Sequence, residues 1–105
     1  MPETLGDLAL EVRSKNAGPF WVTVELFMRD ADGYAAAADA DFLNEEVVAR
    51  LYGVPAQEVR FFRIASLNVV KISFPRTIAQ GGLRDRDVHR GQHHVPLAVL
   101  VPPGA

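Results

Sequence analysis

The chain has 105 residues, a formal net charge of -2, 49% hydrophobic and 23% charged residues, and no cysteine. That is the composition of one globular domain, residues 1–105, which at this length buries roughly 60–65% of its unfolded surface. The missing cysteine excludes a disulfide framework, a thiolate nucleophile and thiolate-held metal centres, so packing alone must hold the fold and a cytoplasmic location is expected.

The N-terminal MPETLGDLAL lacks a basic region and a long apolar region, and the longest apolar runs are only strand-sized, so neither secretion nor a membrane span is expected. Residues 4–12 carry two periodicities. Leu5, Leu8, Ala9 and Val12 stand at helical spacing behind a Thr4 cap with Asp7 three residues on, while Leu8, Leu10 and Val12 alternate as in a strand. Both readings stay open. RSKNAGP (Arg13 to Pro19) reads as a loop whose Gly-Pro step turns the chain into FWVTVELFM. In that run Phe20, Val22, Val24, Leu26 and Met28 point one way and Trp21, Thr23, Glu25 and Phe27 the other, which predicts a strand with one face on the core and a half-apolar second face.

RDADG supplies turn chemistry, with Asp32 expected to cap a short helix through YAAAA. A firmer helix follows. Asn44 is a good N-cap, Glu45 and Glu46 sit at the positive end of the helix dipole, Gly53 suits the C-terminal cap and Pro55 blocks continuation. Leu43 and Val48 have the spacing of a hydrophobic staple, and Val47, Val48, Leu51 and Tyr52 form the expected buried stripe. VRFFRIA and NVVKISF predict a hairpin joined around Ser66 to Asn68 and ended by Pro75. Arg76 to Pro96 is polar and glycine-rich, a long loop of the kind that is functional or flexible in a compact domain. PLAVLV is expected to form a last strand before a fraying Pro-Pro-Gly tail. The order predicts an α+β fold: a ferredoxin-like sandwich, mainly antiparallel, with helices on one face and a long loop before the last strand.

Two stretches have residues suited to chemistry. In RSKNAGP, Arg13 and Lys15 supply charge, Ser14 and Asn16 supply neutral donors, and Gly18 admits a ligand close to the backbone, so a carboxylate or phosphate is the natural guest; the alternative is a plain turn with solvated cations. GGLRDRDVHRGQHHVP gathers Asp85, Asp87, His89, Gln92, His93 and His94. A histidine there is suited to general acid–base work beside a carboxylate such as Asp87, and Asp87, Gln92 and His94 are equally suited to clasping their own loop. His89 and His93 have metal-ligand spacing only on a helix, which Gly91 opposes, and no cofactor is expected. The acidic set Asp30, Asp32, Asp39 and Asp41 lacks the spacing of a calcium loop and reads as turn and cap residues. Lys71 on the hairpin reads as an outward, solvated or edge-protecting charge. The 11 Lys and Arg residues are scattered, with no evident basic face, so nucleic acid is not an expected partner.

LGDLALEVRSKNAGPFWVTVELF, LYGVP, LNVVKISFPR and DRDVHRGQHHVPL resemble a family of small bacterial proteins of unassigned function that accompany acyclic-terpene-utilisation (AtuA-like) proteins. The resemblance runs over nearly the whole chain. A fainter similarity is to the C-terminal ferredoxin-fold domain of the AtuA-like proteins, in which a loop of the type R-S-G-D-K-G precedes a strand; Arg13, Ser14 and Gly18 match it and residues 15–17 depart. LNVVKISF and GGLRDRDVHRGQ fall where that domain has an asparagine-containing strand and a GG…D…G loop, with Asp87, Gly91, Gln92, His94 and Pro96 matching while Arg90 and His89 differ. The resemblance implies a small accessory subunit or binding module that docks on a larger AtuA-like partner. Arg13, Ser14, Asn16, Gly18, Asn68, Asp87 and Gln92 would be its binding residues. The alternative is an enzyme, or an essential enzyme half, with hydratase or lyase chemistry on an organic acid or acyl thioester, in which Lys15 and Arg13 hold the carboxylate and His94 moves a proton. A homo-oligomer formed through sheet edges is the third expectation.

Overall fold

The computed structural model describes residues 3–16, 20–75 and 95–103. Both periodicities at the N-terminus are realised, one after the other. Helix α1 (Leu5–Leu8) is a single turn held by a reciprocal cap in which the Asp7 amide donates to Thr4 Oγ1 (3.1 Å) and the Thr4 amide donates to Asp7 Oδ2 (3.0 Å). Strand β1 (Ala9–Asn16) follows at once. It runs through Arg13, Ser14, Lys15 and Asn16, so the first half of the expected RSKNAGP loop is strand; cross-strand pairing with β2 (Trp21–Met28) extends from Ala9↔Met28 to Asn16↔Val22 and outweighs the turn signal. The register shifts between Ala9 and Glu11, leaving Leu10 71% exposed.

Helix α2 (Ala31–Ala37) is capped by Asp30, whose Oδ1 accepts from the Gly33 amide at 2.8 Å, rather than by Asp32, which lies in the first turn. Gly33 is buried against α1: a Cβ there would meet the Leu8 carbonyl at 3.2 Å, so a larger residue pushes the two helices apart. Helix α3 (Glu45–Tyr52) has the expected caps, with Asn44 Oδ1 accepting from the Val47 amide at 3.0 Å and Gly53 in the left-handed region at φ 68°. Its inward line is Val48 with Val47 and Tyr52; Leu51, expected in the stripe, lies on its margin at 38% exposure.

Strands β3 (Arg60–Ile64) and β4 (Val69–Pro75) form the expected hairpin, joined through a 3₁₀ turn at Ala65–Leu67 and Asn68 in the left-handed region at φ 56°. Asparagine tolerates that conformation better than most residues, and its carbonyl accepts from the Met28 amide at 2.8 Å. The four strands are antiparallel in the order β1-β2-β4-β3, an α+β architecture consistent with a ferredoxin-like sandwich.

The expected last strand is not one. Val95–Ala98 forms a helical turn, α4, and no strand follows it among the described residues. Pro96 suits the first turn of a helix and has no N–H to give a ladder. Leu97 enters the core instead, and the Leu5 amide donates to the Leu100 carbonyl at 2.8 Å, tying this segment to α1. The core joins Val22, Val24, Leu26, Met28, Val70, Ile72 and Phe74 of the sheet to Leu5, Ala37, Leu43, Val48 and Leu97 above it. Phe20, expected on the core side, stands before β2 at the turn and is exposed.

Candidate functional site

Alternation along the two central strands puts a second set of residues on the sheet face away from the core. In register across the sheet they form rows: Arg13, Glu25, Lys71 and Phe62; then Lys15, Thr23, Ser73 and Arg60; then Trp21 and Pro75. No helix of the described residues contributes to the core from this side, and Val69, although buried, stands outside the core cluster. We refer to this surface as the helix-free face.

At its centre is Glu25, only 3% exposed on β2. Its carboxylate accepts from Arg13 Nε at 3.1 Å and lies 3.8 Å from Lys15 Nζ and 3.5 Å from Lys71 Nζ. Glu11 reaches Arg13 from the edge strand at 3.9 Å. Burial pushes the Glu25 carboxyl up; the Arg13 hydrogen bond and the charges of Lys15, Arg13 and Lys71 outweigh that and hold it below its ordinary value. The carboxylate is therefore an anchor for cations rather than a proton donor near neutral pH. Aromatic rings flank the cluster. The Arg13 guanidinium lies 4.9 Å from the Phe27 ring centroid, Arg60 lies 6.0 Å from that of Trp21, and Phe62 is 50% exposed. Between these groups Thr23 Oγ1 and Ser73 Oγ hydrogen-bond to each other at 2.9 Å.

Of the residues that the sequence marked, Arg13 and Lys15 share this face. Ser14 and Asn16 do not: strand alternation turns them to the other side of β1, where Ser14 is half-buried and Asn16 exposed. Asn68 lies at the far end of the sheet, beside Met28, where it makes the β3–β4 turn. Gly18, Asp87, Gln92 and His94 lie outside the described residues, as do His89 and His93 of the metal reading. Pro75 pairs with Trp21, so the chain leaves β4 at the end of the sheet where β1 gives way to β2. Among the described residues no group of three His, Asp or Glu is placed to hold a metal ion.

Lys71, expected to be a solvated or edge-protecting charge, is instead an ion partner of Glu25, because β4 is an inner strand. Glu25 itself went unmarked. Its signal was a lone carboxylate in the middle of a strand whose second face is half aromatic, and its meaning depended on which strands flank β2. The cations scattered in sequence converge here, since Arg13, Lys15, Arg60 and Lys71 all share the face.

A four-stranded antiparallel sheet with helices and the core on one side and, among the described residues, a charged, aromatic-flanked surface on the other defines a small α+β protein. The model of the family described as Domain of unknown function (DUF4387) matches residues 5–101, and the chain belongs to that family. No curated protein and no solved structure matches it.

Proposed function

We propose that the chain is a small accessory subunit or binding module that docks through its helix-free face on a larger AtuA-like partner in the cytoplasm, bringing Arg13, Lys15 and Lys71 to an anionic group at the junction. The observation that carries this reading is the convergence of three cations from two strands on the buried carboxylate of Glu25, which leaves surplus positive charge among Trp21, Phe27 and Phe62. Aromatic and arginine side chains around a desolvated centre are the composition of binding hot spots. Glu25 holds the cations in place before a partner arrives, which lowers the ordering cost of association. Of the residues that resemble the AtuA-like loop, Arg13 lies on this face.

Co-expression with an AtuA-like protein followed by size-exclusion chromatography tests it. A single co-eluting species is expected for the wild-type chain at micromolar concentration, and Lys71→Glu, which sets a second carboxylate against Glu25, should weaken the complex at least ten-fold. Two independent wild-type peaks, or a Lys71→Glu complex of unchanged affinity, contradict it.

A further inference from the structure

The row formed by Lys15, Thr23, Ser73 and Arg60 has chemistry that the Glu25 cluster does not use. Thr23 and Ser73 stand opposite each other on the two inner strands, and their hydroxyls are joined at 2.9 Å. One O–H···O bond consumes one proton of the pair; the accepting hydroxyl keeps its own, free to donate to a further group. Both side chains are half-buried, so neither is out of reach of a ligand.

Cations bracket this donor. On one side Lys15 and Lys71 lean toward Glu25, one row away, each more than a third exposed and with donors left over after a single long ion pair. On the other side Arg60 stands opposite Ser73 in the β3–β4 register, and its guanidinium lies 6.0 Å from the Trp21 ring centroid. A hydroxyl donor between an arginine and two lysines, beside an aromatic ring, is a receptor for a compact anion carried on a planar body.

We infer that the helix-free face holds a small organic anion, a carboxylate or phosphate, over the Thr23–Ser73 hydroxyl pair, with Arg60 and Lys15 as its ion partners and Trp21 stacking on the body that bears it. This rests on the reading of the face as a binding surface, and it needs no protein partner. Glu25 fixes the sign of the guest: it supplies the one negative charge that the lysines need when the site is empty, and an entering anion draws Lys15 back over its own row, and Lys71 one row along, without uncovering an unpaired carboxylate, because Arg13 stays on Glu25.

Trp21 is the chain's sole tryptophan, so its fluorescence reads the site directly. Inorganic phosphate, benzoate and neutral benzamide are titrated into the full chain. A saturable, salt-sensitive change with phosphate or benzoate and none with benzamide is expected, and which of the two anions binds tells phosphate from carboxylate. Arg60→Gln and Ser73→Ala should each weaken binding roughly ten-fold, the loss of one charge-assisted or hydroxyl hydrogen bond, with thermal unfolding unchanged for the exposed Arg60 variant. No saturable response to either anion, an equal response to benzamide, or full affinity in Arg60→Gln overturns the assignment. Chromatographic co-elution of a chain that gives no anion response leaves the docking reading standing and removes this one; an anion response without co-elution does the reverse.

Discussion

Replacing Glu25 by glutamine lowers stability by about 2 kcal/mol near neutral pH and makes the chain less sensitive to acid than the wild type. Glutamine keeps the size of the side chain and an oxygen for Arg13, but removes the one negative charge facing three cations within 4 Å. Breaking a fully buried ion pair costs about 3–5 kcal/mol, and an exposed pair contributes about 0–1 kcal/mol. Here the carboxylate is buried and the cations are exposed enough to swing into water, so the effect lies between those limits. Because the folded-state carboxyl sits below the ordinary 4.5, its stabilisation is fully present above about pH 4.5 and is lost as pH falls below that through the folded-state value. Denaturant unfolding of both chains at pH 7 and pH 3 checks this: the gap between them should narrow on acidification. A gap that stays constant or widens would show that Glu25 contributes through shape rather than charge.

Phe74→Ala is expected to be the most damaging single truncation, at about 3–5 kcal/mol, out of a total stability of about 5–15 kcal/mol for a domain of this size. Phe74 is 1% exposed on inner strand β4, opposite Val22, and its ring lies 4.3 Å from that of Tyr52. Tyr52 links the same contact to α4: burial pushes its phenol well above its ordinary range, opposed by a hydrogen bond with the Leu97 backbone. Removing the Phe74 ring thus leaves a cavity where β4, α3 and α4 meet. Thermal unfolding should fall by roughly 15–20 °C. Phe62→Ala is the contrast, a ring of the same size on the helix-free face, and should move stability by no more than about 0.5–1 kcal/mol. A Phe62→Ala loss as large as that of Phe74→Ala would mean that the face is packed as core.

The parts of the fold that the sequence disclosed were those with local causes. Strand β2 follows from a period of two with β-branched residues, α3 from Asn44 and Gly53 at its ends, and the hairpin from two apolar alternations around Asn68. What escaped depended on distant neighbours. Arg13 to Asn16 reads as loop by composition and becomes strand because β2 offers it a ladder. PLAVLV has the content of a strand, but Pro96 and the place left for Leu97 in the core make it a helical turn. The candidate site followed the same division. Arg13 and Lys15 were recognisable as cations in an unusual segment, whereas Glu25, Lys71, Thr23, Ser73 and Arg60 are separated in sequence by up to 50 residues and form a group only through the order β1-β2-β4-β3.

Lys15 and Lys71 are the chain's two lysines, and both lie within 4 Å of the Glu25 carboxylate, so amine-reactive labelling reads the helix-free face and no other lysine-bearing surface. The most direct test is to label the chain alone and after co-expression with an AtuA-like protein, the partner proposed above, and to quantify both positions by mass spectrometry. The account predicts that both lysines are protected in the complex; a complex in which both label as readily as in the free chain would contradict it.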